Sequence, residues 1–291
     1  MTVVVHLIGG LGNQFFQYAV GRALAAKHST ALKLDTSPFE NYQLRTYALR
    51  HYCIEATELS ESEHTEFGLR PEPATRIGRL VERVFGARSI ALVRESGFEF
   101  DPSILRSTVP CYLQGFWQSP KYFASIDPMI RKELTLREPL AGENLAAADR
   151  IAASLAVSVH VRRGDYANSE STNQYHGTCS PEYYLAAEAL LRGKLGDPTL
   201  YIFSDDPDWA AQNLRFKSPT VILRHNGPER DYEDLRLMTL CQHHIIANST
   251  FSWWGAWLCA NPGKTVVAPR NWFRDARHST SDLIPEEWIR V

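Results

Sequence analysis

The stretch Ile151-Ala-Ala-Ser-Leu-Ala-Val-Ser-Val159, continued by His160-Val-Arg-Arg-Gly-Asp-Tyr166, decides the fold class of this chain. An apolar run of this length reads as a buried strand, and it delivers a histidine, two arginines and an aspartate to its own C-terminal end. In open α/β sheets that end is where ligands bind. Two adjacent guanidinium groups are costly to desolvate unless an anion meets them. An Arg pair alone is also an ordinary solvated turn; the strand context and the segments described below favour the anion site. Alternate residues of an extended strand face the same side, so His160 and Arg162 are predicted to project together while Arg163 points away. Arg162 then has the fork geometry for a diphosphate, and Arg163 is expected to pair with Asp165 or to brace the loop.

Outward from this stretch the chain alternates strand and helix. Strands are predicted at 156–161, 199–203, 220–224, 244–247 and 265–268, and helices at about 181–193, 207–215, 230–242 and 250–260. Such alternation implies a doubly wound parallel sheet. Towards the N-terminus, Val3–Ile8 reads as a strand, Gly9-Gly-Leu-Gly-Asn13 as a glycine turn, Gln14–Lys27 as a helix and Ala31–Asp35 as a strand, which together make a βαβ unit. Tyr112–Trp117 reads as a further strand end, Pro120–Leu134 as a helix, and Arg137–Glu143, with its Pro and Gly, as a linker. Residues 55–100 show no organising period. The expected architecture is α/β, with two Rossmann-like nucleotide-fold domains, 1–146 and 147–291, facing one another across a cleft.

Bulk properties narrow the function classes. The chain has 291 residues, 44% hydrophobic and 22% charged, an ordinary globular composition. A net charge of -2 argues against a nucleic-acid binder, which needs a broad basic surface. The five cysteines are widely spaced with no CxxC pair, so they point to buried thiols in a reducing compartment rather than to a zinc or dithiol site. The start MTVVVHLIGGLG has no basic n-region, and no run reaches the roughly 18 apolar residues of a membrane span. These features predict a soluble, cytoplasmic protein.

Three further segments carry candidate site residues. In the glycine turn, Gly10 and Gly12 fit the first two positions of a dinucleotide fingerprint, but Phe15 stands where its third glycine belongs, so that reading is set aside. The glycines still permit close backbone approach to a ligand, and Asn13 and Gln14 offer neutral donors and acceptors for a sugar or phosphate. Asp205 and Asp206 close the next strand, where carboxylates accept from ribose hydroxyls or guanine N–H groups. Asp206-Pro207-Asp208 is formally DxD, a metal-binding pattern, but an acidic first turn behind a proline favours helix capping. Ser249, Thr250, Phe251 and Ser252 open a predicted helix whose N-terminal N–H groups suit phosphate, although such residues also cap helices everywhere. The tryptophans that follow are expected in the core, and His243-His244, lacking a third ligand at metal spacing, is expected to be structural.

Taken together, GGLGNQFFQYA, HVRRGDY, FSDD and NSTFSWWGAWL resemble the α-1,2-fucosyltransferases of glycosyltransferase family 11, and GFWQSPKYF and HGTCSPEYY look like that family's connecting segments. The resemblance runs from about residue 3 to residue 291. It implies a GT-B-like scaffold and inverting, metal-independent transfer of L-fucose from GDP-β-L-fucose to the 2-hydroxyl of a terminal galactoside. No resident cofactor is implied; the partners are GDP-fucose and a galactose-terminated oligosaccharide, with at most peripheral contact at the inner membrane face. The resemblance places His160 near the guanosine and Arg162 on the β-phosphate. It puts Asp205 or Asp206 on guanine or ribose, residues 250–252 at the diphosphate, and Asn13 near the transferred sugar. Asp165 and His176 are candidates for the base that takes the acceptor's proton. Transfer to a protein Ser or Thr, or non-catalytic binding of glycan or nucleotide, are the competing readings. Residues 36–110 are expected to shape the acceptor pocket.

Overall fold

The computed structural model of the chain describes residues 1–40, 45–69, 90–163, 177–273 and 279–291. Two compact units follow one another, Met1–Leu134 and Thr135–Val291. The expected division at 146/147 is corrected by this boundary. It would cut the helix Gly142–Ala152, whose Ala147, Ala148 and Ile151 pack with Tyr201, Phe203 and Leu237 of the second unit. The division falls instead just ahead of the Pro- and Gly-bearing segment at 137–143.

The first unit is a parallel sheet of β1 (Thr2–His6), β2 (Ala31–Asp35), β3 (Thr57–Glu58), β4 (Ala91–Arg94) and β5 (Cys111–Gln114), in the order β3-β2-β1-β5-β4. Between β1 and β2 runs the helix Leu11–Lys27, which begins three residues before the predicted start at Gln14. Gly9 takes a left-handed φ of +85°, and Gly10 is the extended N-cap. The Gly10 carbonyl accepts the N–H groups of Asn13 and Gln14 at 2.9 and 3.1 Å, so Gly12 and Asn13 stand in the first helical turn rather than in a loop. The predicted helix 120–134 is also corrected. Two 3₁₀ turns, Pro120–Tyr122 and Ala124–Ile126, precede an α-helix, Asp127–Glu133. Pro128 lies in the first turn of that helix, where its missing N–H has no intrahelical partner to lose.

The second unit orders its six strands β11-β10-β9-β6-β7-β8, again all parallel. They are β6 (Ala156–Val161), β7 (Thr199–Ser204), β8 (Thr220–Ile222), β9 (His243–Ile245), β10 (Val266–Ala268) and β11 (Ile289–Arg290). Helices Pro181–Leu195, Pro207–Asn213, Asp231–Leu240 and Thr250–Leu258 alternate with them, close to the predicted spans. Every residue of β6 is buried, as expected of a central strand with both faces covered. The two architectures are the pair of Rossmann-like sheets that make up a GT-B-like chain.

Each sheet has one place where the winding reverses. From β1 the chain steps to β2 and β3, while β5 and β4 lie on the other side. From β6 it steps to β7 and β8, while β9, β10 and β11 lie on the other side. Loops leaving the carboxyl ends of strands diverge at such points and leave a crevice for ligand. All five cysteines are free thiols; Cys111, Cys241 and Cys259 are buried, and Cys53 is exposed. Among the described residues no helix is long and apolar enough to cross a membrane.

Candidate functional site

At the reversal between β6 and β9, the buried β6 releases Arg162 and Arg163. Arg162 Nη1 lies 3.0 Å from Asp205 Oδ2, and the backbone N–H of Arg163 donates to Asp205 Oδ1 at 2.8 Å. One carboxylate thus ties the end of β6 to the end of β7 and aims the Arg162 fork. The Arg163 guanidinium packs 3.9 Å from the centre of the Trp209 ring, a cation–π contact that braces the loop. Asp165 and His176 lie outside the described residues. The His160 ring sits 5.3 Å from Phe251, the second residue of the Thr250–Leu258 helix, so the end of β6 meets that helix's first turn. Burial, reinforced by the Arg162 charge against an opposing pull from Asp205, pushes the His160 pKa down to about 3. The imidazole is therefore neutral, and its buried Nδ1 has no hydrogen-bond partner among the described residues. Buried polar atoms in such a state call for a partner from outside.

Asp206 is occupied differently from Asp205. Its carboxylate caps the Pro207–Asn213 helix by accepting the Trp209 N–H at 3.0 Å, and Asp208 pairs with Arg224 at 2.7 Å. The formal DxD string thus serves a helix end and a surface ion pair.

After β9 the chain enters the Thr250–Leu258 helix. Lys264 Nζ donates to the carbonyls of Ala256, Trp257 and Cys259 at 2.8, 3.1 and 2.9 Å, satisfying the helix's C-terminal end. Its first turn holds no acid and Ser249 makes no side-chain cap bond among the described residues, and the positive end of the dipole faces the carboxyl edge of the sheet. Asn248 clamps the preceding loop by donating to the carbonyls of Gly177 and Trp272 at 3.2 and 3.1 Å. Ser252 is fully buried and donates back to the Ser249 carbonyl at 3.2 Å, so Ser249 and Thr250, not Ser252, stand at the helix mouth. Trp253 and Trp254 are fully buried, and the Trp253 indole donates to the Leu283 carbonyl at 2.8 Å. His243 Nδ1 accepts the Thr265 N–H at 2.9 Å and His244 Nδ1 meets Ser158 Oγ at 2.7 Å, while the buried His244 Nε2 has no hydrogen-bond partner among the described residues.

In the first unit, Asn13 Oδ1 accepts from Gln118 Nε2 at 3.1 Å. Gln14 is buried and bonded to Gly9, Thr46 and Ala48 of its own unit, so it braces the turn. Two features were not singled out from the sequence. One is Gln118 itself. The other is a polar network beyond β8, in which the Asn144 side-chain Oδ1 accepts from His225 at 2.8 Å and Asn226 at 2.9 Å, and Asn226 donates to Asp234 at 2.7 Å. Burial raises the Asp234 pKa to about 7; the Asn226 bond pulls it down, and the charges of Asp231 and Glu233 push it further up. A carboxyl whose folded pKa exceeds its unfolded value contributes most stability at low pH and loses it as pH rises from about 4 to about 7. Asp234→Asn should therefore unfold at higher denaturant than the parent at pH 8, by on the order of 2–4 kcal/mol, with the difference vanishing near pH 4. Equal stabilities at pH 8 would contradict this.

Two pockets open in the second unit. One, of about 370 Å³, lies at the carboxyl ends of β9 and β10 beside Cys179, Tyr183, Asn248 and Arg270. The other, of about 520 Å³, involves Glu188, Arg192, Arg215 and Lys217 and lies where the chain enters β7 and β8. Size notwithstanding, the smaller is on the edge where parallel sheets bind ligands.

Residues 95–291 match the model of Glycosyl transferase family 11. The chain belongs to glycosyl transferase family 11. Across 99% of its length this family 11 chain is 32% identical to an Escherichia coli protein named alpha-1,2-colitosyltransferase, covering 98% of it. It is also 30% identical to the Escherichia coli O-antigen biosynthesis glycosyltransferase WbnK, covering 98% of this chain and 99% of that one. Over 193 residues it is 32% identical to the rat galactoside alpha-(1,2)-fucosyltransferase 1, spanning 62% of this chain and 50% of the rat protein. Among solved structures, a variant of Arabidopsis thaliana FUT1 in complex with GDP superposes with a TM-score of 0.50 at 12% identity, covering 99% of this chain and 76% of that one. That last likeness is one of fold. This family 11 transferase carries its arginine pair, its acidic strand end and its Asn248–Leu258 segment all inside the matched region.

Proposed function

We propose that this transferase moves L-fucose from GDP-β-L-fucose to the 2-hydroxyl of a galactose-terminated acceptor, with inversion and without a metal ion. The observation that carries the reading is the Arg162 fork held by Asp205 at the winding reversal, next to a helix whose positive end stands at the same sheet edge. In a single displacement the acceptor O2 bonds to fucose C1 as the bond from C1 to the β-phosphate oxygen breaks. GDP departs with the electron pair, and the acceptor proton passes to a base. Negative charge grows on the leaving phosphate, where Arg162 and the first-turn N–H groups of the Thr250–Leu258 helix stabilise it with donors fixed beforehand. His160, neutral and with Nδ1 buried, suits the nucleoside; Asp205 orients the arginine and remains the candidate for ribose or guanine. Asn13 is assigned to the transferred sugar, and Gly10 and Gly12 to close backbone approach to the GDP-fucose donor. Asp165 and His176 remain the candidates for the base.

A second donor has an observation in its favour, namely the 32% identity to the alpha-1,2-colitosyltransferase over nearly the whole chain. Colitose is fucose without its 3-hydroxyl, so a site that grips a GDP diphosphate at C1 fits either sugar as its GDP derivative. The test is incubation with GDP-fucose or GDP-colitose and lactose, with and without EDTA. Release of GDP and formation of 2′-fucosyllactose, unchanged by chelator, is the expected result. Transfer from GDP-colitose alone would move the donor assignment, and loss of turnover in EDTA would overturn the metal-free chemistry.

A further inference from the structure

The winding reversal of the first unit, between β1 and β5, is built with unusual rigidity around the segment Gly115–Ser119. The Glu95 carboxylate, one residue beyond β4, accepts the N–H of Phe116 at 2.6 Å and of Trp117 at 2.8 Å. Gln17 bridges the Ile8 N–H at 3.1 Å and the Gly115 carbonyl at 3.0 Å, locking the loop after β1 to the loop after β5. A side chain at Gly115 would put its Cβ 2.4 Å from Glu95 Cβ, so the backbone there is pressed against the carboxylate that holds it. Trp117 is buried with a left-handed φ of +56°, a conformation that a bulky residue keeps only where surrounding structure imposes it. Two side chains of this rigid loop remain for other work. Phe116 is 37% exposed with its backbone N–H held by Glu95, and Gln118 donates to Asn13 Oδ1.

We propose that this loop is the acceptor subsite, with Phe116 the stacking surface for the acceptor galactose and the Gln118–Asn13 amide pair the group that selects its hydroxyls. Galactose has an apolar face formed by the C–H groups on the side opposite its axial 4-hydroxyl, and an exposed aromatic ring on a backbone held by Glu95 matches that face. Amides supply both a donor and an acceptor, which suits hydroxyls that are themselves both. The Gln118 amide meets the hydroxyls together with Asn13, whereas Glu95 acts through the Phe116 and Trp117 backbone and is a positioning residue. The subsite adds Asn13 and residues 116–118 to the stretch 36–110, from which Glu95 contributes. The inference rests on the galactoside reading above, so its test reads acceptor and donor separately.

Lactose binding is followed by saturation-transfer NMR, GDP binding by calorimetry, and transfer from GDP-fucose by initial rates. Phe116→Ala should weaken lactose binding and raise its KM by about tenfold or more, with GDP affinity within about twofold of the parent. Phe116→Trp should restore the lactose signal. Glu95→Gln turns one acceptor into a donor facing an N–H, and should raise the lactose KM more than it lowers kcat. Lactose binding by Phe116→Ala equal to the parent's overturns the subsite, as does a parent that gives no lactose signal. A parent that fails to bind GDP while its lactose signal still depends on Phe116 sinks the donor reading and leaves the subsite standing.

Discussion

Arg162→Ala should lower kcat by roughly 10²–10³-fold, about 2.7–4 kcal/mol, because it removes a preorganised donor from the departing diphosphate. The fold should survive the change. Asp205 keeps the Arg163 N–H and its side chain is 24% exposed, so the carboxylate rehydrates when its partner goes. A partly exposed ion pair of this kind contributes at most about 1 kcal/mol. Arg162→Lys should recover little, since one ammonium cannot hold Asp205 and a phosphate through separate edges as a planar fork does. Initial rates with GDP-fucose and lactose check this, with thermal unfolding as the control. An alanine variant that keeps a tenth of the parent's kcat would refute the assignment.

The second large effect concerns the stability of the first unit. Glu133 ends the Asp127–Glu133 helix and is buried, yet it accepts the Tyr18 hydroxyl and is gripped by Arg22 through Nε at 3.0 Å and Nη2 at 2.9 Å. Tyr18 in turn accepts the Glu55 N–H at 3.0 Å. Burial raises the Tyr18 hydroxyl pKa, and the Glu133 bond adds to that rise, so the tyrosine stays the donor. Glu133→Ala leaves Arg22, whose side chain is 13% exposed, with only the exposed Glu55 as an anion, and leaves the Tyr18 hydroxyl without its acceptor. Breaking a buried pair from one side costs about 3–5 kcal/mol. The urea midpoint of the first unit should fall accordingly with an unchanged slope. A loss under about 1 kcal/mol would show that the network is solvated in solution.

What the sequence disclosed follows from what parallel sheets demand. Strands covered on both faces are mainly apolar, so β6, β7 and β10 stood out, and β9 was read from the apolar residues that follow His243 and His244; the residues just after these strands identified the rim. The edges were harder. β4 carries exposed Ala91 and Leu92 and pairs only with β5, so nothing in its side chains advertises a strand. The helix Gly142–Ala152 hid because it buries mainly small residues, and its Ile151 opens the apolar run that leads into β6. Strand alternation separated Arg162 from Arg163, but the partners came from elsewhere: Asp205 lies on the next strand and Trp209 on a helix. The Glu95 clamp was illegible for a deeper reason. It joins a carboxylate to backbone N–H groups 21 and 22 residues away, and backbone groups leave no mark on a sequence. The same holds for Gln17, whose partner carbonyl is 98 residues distant.

The central claim is that a guanidinium at the rim of β6 receives the leaving diphosphate. Its most direct test is a crystal structure of the protein with GDP. The account predicts a β-phosphate oxygen within hydrogen-bond distance of the Arg162 fork and of the N–H groups that begin the Thr250–Leu258 helix, with Asp205 still holding the other edge of the guanidinium. A GDP molecule bound elsewhere on the chain, with Arg162 engaged by Asp205 alone, would contradict it.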